Sequence, residues 1–237
     1  MSTIRHARAF PAIGLALLLT GCAGLPEAYP PPANPFLAGA TPLASTTLAQ
    51  PVKVGLVWLA PASPAVLSQA AQQHLIGKIK ARFATGRPLE IVGATMIAAQ
   101  PGDMLAEVRK ASASFNVNQV LVVMPTRTEV ISPVWLHYGR DGRAIGTRTD
   151  SYVTVSLVGL DLNSGKSLYS VVANGEARLL ATDYEDARPF FPRISPGRTS
   201  AFIYPDRAAF PPGEVHAVAL EQAVNGLVYE LNRALGS

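Results

Sequence analysis

The stretch Val120-Leu121-Val122-Val123-Met124 decides the fold of this chain, because it contains five consecutive apolar residues, three of them β-branched. A run of this kind is typical of a strand that is buried on both faces. We predict that the strand extends from Gln119 to Ile131 and lies at the centre of a sheet, so the segments around it must supply neighbouring strands and the helices that cover them.

A strand and a helix are predicted well upstream of this central strand. Val52 to Ala60 begins with alternating apolar residues and continues into the apolar run Val57-Trp58-Leu59, which indicates a second buried strand. Ser63 is a suitable N-cap with Pro64 at the first helical position, and apolar residues recurring every four positions predict a helix to about Ala84.

A second strand–helix pair follows directly. Leu89 to Ala98 has the alternation of a strand, and the turn after it ends at Asp103, a favourable N-cap. The second helix has an apolar face and is predicted to end at Asn116.

The region after the central strand predicts a β-hairpin and a terminal helix. Tyr152 to Leu162 and Ser167 to Leu180 alternate as strands, and the residues Asp161 to Lys166 between them suit a tight reversal. Residues 183–213 form a long Pro- and Phe-rich loop in this interpretation, with a flap over the sheet as the alternative. Glu214 to Leu235 has a nearly continuous apolar stripe. The order β-α-β-α-β-hairpin-α predicts an α/β fold, a single α/β sandwich whose mixed sheet has helices packed on it.

Composition excludes a disordered chain and gives little support to nucleic-acid binding. The chain has 237 residues, of which 49% are hydrophobic and 15% charged, and its formal net charge is +4. Removing residues 1–21 takes away Arg5 and Arg8 and leaves +2. The one cysteine allows no disulfide within the chain and no cysteine metal site.

The N-terminus resembles the signal of a bacterial lipoprotein. Arg5 and Arg8 precede an apolar run, Phe10 to Leu19, which is shorter than the roughly 20 residues that span a bilayer. The run ends in Leu19-Thr20-Gly21-Cys22, which is similar to a lipobox. The resemblance implies that residues 1–21 are a lipoprotein signal peptide and that Cys22 becomes the acylated first residue. Ala23, in place of Asp, implies an outer-membrane protein facing the periplasm of a Gram-negative host. The alternative is an ordinary signal peptide with a chance cysteine.

The next segment is predicted to be a spacer. Residues 22–50 are rich in Pro, Ala, Thr and Gly, and Tyr29-Pro30-Pro31-Pro32 favours extended backbone. We interpret the lipidated Cys22 and this Pro-rich segment as a tether for a periplasmic domain over 51–237. The alternative is an N-terminal arm that packs on the domain through Phe36 and Leu37.

The lipobox, the Pro-rich spacer, the first strand Val52-Lys53-Val54-Gly55-Leu56-Val57 and the Val-rich strand at Val120 resemble rhombotarget-type lipoproteins. The wider arrangement is similar to the periplasmic α/β domain of curli-secretion-like and penicillin-binding-protein-activator lipoproteins. The chain departs from the rhombotarget group in ending Leu235-Gly236-Ser237, without a Gly-Gly sorting tail and terminal hydrophobic helix. The resemblance assigns no activity to any residue.

A Gly- and Arg-rich excursion over residues 132–150 is the best candidate for a binding surface. It combines exposed aromatic residues with arginines, the types that dominate binding hot spots. The candidate residues are Trp135, His137, Tyr138, Arg140, Arg143 and Arg148. A basic cleft for anionic glycan or lipid headgroups is a second use of the same residues, and a solvated hairpin extension is the alternative without function.

No pattern in the sequence predicts catalysis or a metal. His74, His137 and His216 have no ligand at metal-binding spacing, and Gly-x-Ser-x-Gly and phosphate-binding glycine motifs are absent. Asp161, Asn163 and Gly165 match the start of a calcium loop, but Val172 stands where its closing Glu should be, so a hairpin turn is the better interpretation. We expect no cofactor and no metal.

Three functions are compatible with these features. The leading hypothesis is a membrane-anchored, non-enzymatic envelope lipoprotein that binds a protein partner or assembles with itself, and that does not bind nucleic acid. The second is a subunit of an outer-membrane curli-secretion-like oligomer with a membrane hairpin at Val130 to Tyr152; charged residues and Pro133 argue against that hairpin. The third is an envelope enzyme acting on cell-wall or lipid substrates.

Overall fold

The computed structural model describes residues 29–43, 52–61, 69–83, 89–138, 142–181, 200–203 and 212–235. These ranges contain seven strands and three α-helices. The strands are β1 Thr41–Pro42, β2 Val52–Ala60, β3 Leu89–Ala98, β4 Gln119–Tyr138, β5 Gly142–Asp161, β6 Ser167–Ala181 and β7 Ser200–Ile203. The helices are α1 Gln69–Arg82, α2 Met104–Ser112 and α3 Pro212–Ala234.

The strands form one mixed sheet in the order β1-β6-β5-β4-β2-β3, with β7 paired to β6. β2 is parallel to both β3 and β4, whereas β4, β5 and β6 pair in antiparallel fashion. β3 and β4 lie on opposite sides of β2, so right-handed crossovers place α1 and α2 on opposite faces. The α/β fold with a mixed sheet is therefore confirmed.

Each face of the sheet has its own apolar core. The larger core joins α1 and α3 to residues such as Leu56, Leu121 and Leu157. The smaller core joins α2 to Val57, Val120 and Val122 on the other face. Val120 to Val123 have no exposed surface and contribute to both cores in alternation. The prediction that this stretch is a central strand is confirmed.

The local signals for α2 are also confirmed. Asp103 caps the helix by accepting a hydrogen bond from the Ala106 backbone N–H at 3.1 Å. Asn116 ends the following 3₁₀ turn, Ala113–Phe115, in the left-handed conformation at φ 52°.

Residues 132–150 were predicted to form an excursion, with a hairpin extension as the alternative, and over the described residues the backbone is a regular hairpin. β4 and β5 pair without interruption from Gln119 and Asp161 to Tyr138 and Gly142. Pro133 lies opposite Thr147 in the β4–β5 pairing. Of residues 132–150, only 147–150 also pair with β6. We call residues 130–138 and 142–150 the hairpin extension. The prediction that β4 ends at Ile131 was wrong, because antiparallel pairing to β5 carries the strand through polar, Gly-containing sequence.

The second hairpin agrees with its prediction. Asp161 and Lys166 close the β5–β6 turn, in which Gly165 adopts φ 71°. One carboxylate oxygen of Asp161 accepts hydrogen bonds from the backbone N–H groups of Asn163 and Ser164 at 2.8 and 3.0 Å. These bonds lower the pKa of Asp161, the Ser164 backbone bond most strongly. Asp161 Oδ1 therefore serves the turn.

Residues 29–43 lie against the sheet and do not form a free tether. The Asn34 side chain is buried and donates to the Val122 carbonyl at 3.0 Å, while Ser167 donates to the Phe36 carbonyl at 2.7 Å. β1 adds a short parallel strand beside β6. Over these residues the packed-arm alternative holds and the tether prediction does not, because the carbonyl groups of the arm, those of Pro30 and Pro31 included, accept hydrogen bonds from side chains of the sheet. Residues 22–28 and 44–50 lie outside the described ranges, as does the predicted signal peptide.

The C-terminal elements correct one further prediction. Residues 183–213 were expected to be a loop, but Ser200–Ile203 forms β7, parallel to β6. α3 begins at Pro212 and packs closely on β6 at Gly175, where an added Cβ would lie 2.2 Å from the Ala219 carbonyl oxygen. Among the described helices, none is long and apolar enough to cross a membrane.

Candidate functional site

Two polar groups lie back to back where the hairpin extension leaves the core. Both are built on residues 127–130 of β4 and 148–152 of β5. Alternation along β5 sends Asp150 and Tyr152 to the face covered by the N-terminal arm, and Ser151 to the face covered by α3. The base of the extension therefore has a charged cluster on one face and a histidine relay on the other.

The charged cluster is centred on Asp150, whose side chain is 3% exposed. Arg178 of β6, directly opposite Asp150 in the ladder, donates through Nε to Oδ1 at 2.5 Å and through Nη2 to Oδ2 at 3.3 Å. Arg148 approaches the same carboxylate, with its Nε 3.0 Å from Oδ2. That N–H is not directed at the oxygen, so the contact is an ion pair without a hydrogen bond. One buried carboxylate thus serves two guanidinium groups.

Tyrosines close the cluster on the side of the N-terminal arm. The Tyr152 hydroxyl donates to Asp150 Oδ2 at 3.4 Å, and burial followed by the Asp150 charge raises the pKa of Tyr152. Burial alone would lower the pKa of Arg178, but its bond to Asp150 and the Asp150 charge raise it on balance. Tyr29 packs edge-on against Tyr152 at 5.4 Å and donates to Glu176 at 2.8 Å. The cluster therefore fixes the point at which the arm enters the domain.

The histidine relay joins three elements. His216, the fifth residue of α3, contacts Ser151 Oγ through Nδ1, and its Nε2 lies 2.6 Å from Glu129 Oε2. An ionised carboxylate can only accept hydrogen bonds, so in the neutral imidazole the proton lies on Nε2, which donates to Glu129. Nδ1 then accepts a hydrogen bond from the Ser151 hydroxyl. Burial and then the charge of Arg127 lower the pKa of His216, against the opposing effect of Glu129.

The relay has the residue types of a hydrolytic triad, but its geometry favours a structural role. Ser151 has no exposed surface and His216 is 4% exposed. A serine nucleophile must meet its substrate, and this hydroxyl has no access to one in the arrangement described. What the relay does hold is the start of α3 against the base of the hairpin extension.

The structure brings only part of the predicted binding surface into view. Trp135 and Tyr138 lie on β4, opposite Ile145 and Gly142, and His137 lies opposite Arg143. Arg140 is outside the described residues. Arg148 is half-buried beside Asp150, so it contributes to the charged cluster. His74 is exposed on α1.

Asp150, Ser151 and Glu129 are not among the predicted site residues. Nothing in the sequence spacing of Glu129, Ser151 and His216 indicates that they meet. The β4–β5 register that places Glu129 opposite Ser151 supplies the signal, and it follows only once the strands are known to continue past Ile131. Within the described ranges, no group of three or more His, Cys, Asp or Glu residues is arranged to hold a metal ion.

Comparison with known proteins gives low similarity throughout. No protein-family model and no curated protein matches the sequence. Among solved structures, a homolog of a neuraminyllactose-binding hemagglutinin from Helicobacter pylori has a TM-score of 0.42 and 9% identity, covering 87% of this chain and 91% of that one.

Two shorter matches are a PelC dodecamer from Paraburkholderia phytofirmans and lipoprotein GNA1162 from Neisseria meningitidis. The PelC chain has a TM-score of 0.29 and 16% identity, covering 55% of this chain and 76% of that one. GNA1162 has a TM-score of 0.22 and 16% identity, covering 52% of this chain and 82% of that one. At these scores and identities the chain is similar to a lipoprotein and to PelC only in a general way, and neither family nor function follows.

Proposed function

We propose that this chain is a lipid-anchored envelope lipoprotein of the outer membrane, and that its periplasmic domain is a non-enzymatic module that binds a protein partner or a second copy of itself. The anchor is the Cys22 thiol, acylated after cleavage at the lipobox. The hairpin extension supplies the binding surface.

The single observation that supports this proposal is the hairpin extension itself. The β4–β5 hairpin continues beyond the part of the sheet that α1, α2 and α3 cover, and Ile131 on it is 62% exposed. Val130 beside it is 40% exposed, so this regularly paired projection presents two adjacent apolar residues to another molecule. The polar side chains at its base hold the projection to β6 and α3, and the Ser151 hydroxyl among them is buried.

The test shortens the hairpin without touching its base. Pro133 and Thr147 face each other across the ladder, so replacing residues 134–146 by Asn-Gly closes them with a two-residue turn. Arg148 and Asp150 stay in place, so we expect a melting temperature close to that of the natural chain.

A photo-crosslinking residue at position 131 reports the partner in cells, and the same residue at Asn163, on the β5–β6 turn, is the matched control. We expect a defined protein adduct from position 131 that disappears in the shortened variant, with none from position 163. An adduct that survives the shortening would place the interface elsewhere and refute the proposed surface.

A further inference from the structure

The strand β3 lies at one edge of the sheet, and part of this edge is open. It pairs with β2 on one side, and no strand in the described part of the chain pairs with its other side. The Phe83 carbonyl, just after α1, accepts a hydrogen bond from the Ile91 N–H at 2.9 Å and caps the first part of the edge. Beyond this cap, residues 94–97 are half-buried and Ala98 is exposed. We call residues 94–98 the open edge.

Alternation along β3 shows which backbone groups face outward. The Ala99 N–H points toward β2, because it donates to the Ala60 carbonyl at 2.7 Å. The register between β2 and β3 is unbroken over the open edge, so successive residues turn their backbone groups to opposite sides. The N–H and C=O groups of Ala94, Met96 and Ala98 therefore point away from β2, where no described strand meets them.

The open edge lacks the features that usually keep an edge strand from pairing, which are charged side chains and proline. No Asp, Glu, Lys or Arg occurs between Glu90 and Asp103, and Pro101 lies after the end of β3. The first half of α1 adds no charge beside the edge, since none of these four residue types occurs between Lys53 and Lys78. We expect an uncharged edge of this kind to pair with a further strand.

The helix α1 leaves space beside the open edge. Trp58 of β2 is the ladder partner of Met96, and its Nε1 donates to the Gln72 side chain of α1 at 3.2 Å. At the level of Met96 the helix is therefore held over β2. The chain reaches the outer side of β3 at Phe83, beside Ile91, which is outside the open edge.

We propose that the open edge pairs with the same edge of a second copy of this chain, in antiparallel orientation about a two-fold axis at Met96. Met96 then faces Met96 of the second copy, and Ala94 faces Ala98. Each outward N–H and C=O group of these residues meets a partner in this register, as in the hydrogen-bonded pairs of an antiparallel ladder. A shift by one residue would set outward groups opposite inward ones. Since the edge is uncharged, the symmetry brings no like charges together.

The inference goes beyond the proposed function, because it concerns a different surface. β2 lies between β3 and β4 in the sheet, so the open edge is separate from the hairpin extension. Shortening the hairpin between Pro133 and Thr147 leaves β3 unchanged. A failure of one proposal is therefore distinguishable from a failure of the other.

Disulfide trapping tests the register of the pair. Directly opposed residues of a hydrogen-bonded antiparallel pair have Cα atoms about 5.5 Å apart, a separation that a disulfide spans. Met96→Cys should therefore link to itself when the full-length protein, purified in detergent, is oxidised with copper phenanthroline. Ala98→Cys is the matched control, because residue 98 is more exposed but its two copies would lie about 14 Å apart. The natural chain, with Cys22 alone, should give no linked dimer.

A variant without a new cysteine tests the contact itself. Ala98→Pro removes one outward N–H and places a ring against the second strand, while β3 keeps its hydrogen bonds to β2. Light scattering corrected for detergent should give the mass of two chains with Ala98 and of one chain with Ala98→Pro, at similar melting temperatures. Both masses are measured with the hairpin shortened as above, so that association through the hairpin extension does not contribute.

Equal disulfide yields from Met96→Cys and Ala98→Cys would overturn the inference. So would the mass of one chain when Ala98 is present, or the mass of two chains in folded Ala98→Pro protein. A Met96→Cys chain that oxidises onto a different, co-purifying protein would also overturn it, because the open edge would then serve another partner.

Discussion

Replacing Asp150 by Ala tests whether the charged cluster fastens the hairpin extension to the sheet. The substitution removes a carboxylate that is 3% exposed while leaving Arg178 and Arg148 in place, with side chains 24% and 36% exposed. Removing one partner of a buried ion pair costs about 3–5 kcal/mol, because the remaining charge stays away from water. Both guanidinium groups here retain some access to solvent, so we expect a smaller loss of about 2–4 kcal/mol in the free energy of unfolding.

Thermal unfolding followed by circular dichroism measures this loss. For a chain of this size about 3 kcal/mol corresponds to a fall of roughly 6–12 °C in melting temperature. Glu230→Ala is the matched control, because the Arg233–Glu230 pair on α3 is a surface pair of the i,i+3 type, with side chains 69% and 37% exposed. We expect a change below about 1 kcal/mol there. Asp150→Asn keeps the shape and one acceptor, so it should fall between the two. If Asp150→Ala melts within error of Glu230→Ala, the cluster does not stabilise the domain and this reasoning fails.

Three further substitutions test other parts of the structure. Gly175→Ala should lower the free energy of unfolding by about 1–3 kcal/mol, because the new Cβ meets the backbone of α3 at Ala219 and Ala223. Gly77→Ala, whose Cβ meets nothing within 4 Å, should instead raise it by up to about 1 kcal/mol. Equal denaturant midpoints for the two variants would contradict the close packing at Gly175. Burial lowers the pKa of His216 from 6.5, so the contribution of its neutral ring to stability is complete above pH 6.5 and is lost as the pH falls through the lowered pKa. Urea unfolding at several pH values should show this decline, and His216→Gln should remove it. The same pH dependence in both proteins would exclude His216 as its source. Asn34→Ala should lower the free energy of unfolding by about 1–2 kcal/mol and make the chain at Tyr29 accessible to proteases, because the arm loses its buried hydrogen bond to the Val122 carbonyl. An unchanged digestion pattern would mean that the other contacts of the arm hold it in place.

The core could be predicted from sequence because its signals are local. Five apolar residues from Val120 to Met124 are sufficient to indicate a central strand, and Asp103 is sufficient to indicate the start of α2. Sequence patterns left the hairpin extension only as an alternative to an irregular excursion, because its residues are Gly-rich, charged and interrupted by Pro133. Pairing with β5 overrides these weak local preferences.

The candidate site depends on contacts that sequence spacing does not contain. Asp150 meets Arg178 only through the β5–β6 register, and His216 meets Ser151 across 65 residues of chain. The arm was misinterpreted because a Pro-rich segment has the same composition whether it is solvated or packed. Its docking depends on hydrogen bonds such as Asn34 to Val122, which join positions 88 residues apart.

The central claim is that lipid on Cys22 holds this α/β domain at the membrane, and the mass of the mature N-terminal peptide tests it most directly. We expect a peptide that begins at Cys22, bears acyl chains and is found in the membrane fraction, and a Cys22→Ser variant that lacks the acyl mass and leaves that fraction. A mature chain that begins at another residue, or an unacylated Cys22 in protein that stays with the membrane, would show that this lipid does not anchor the domain.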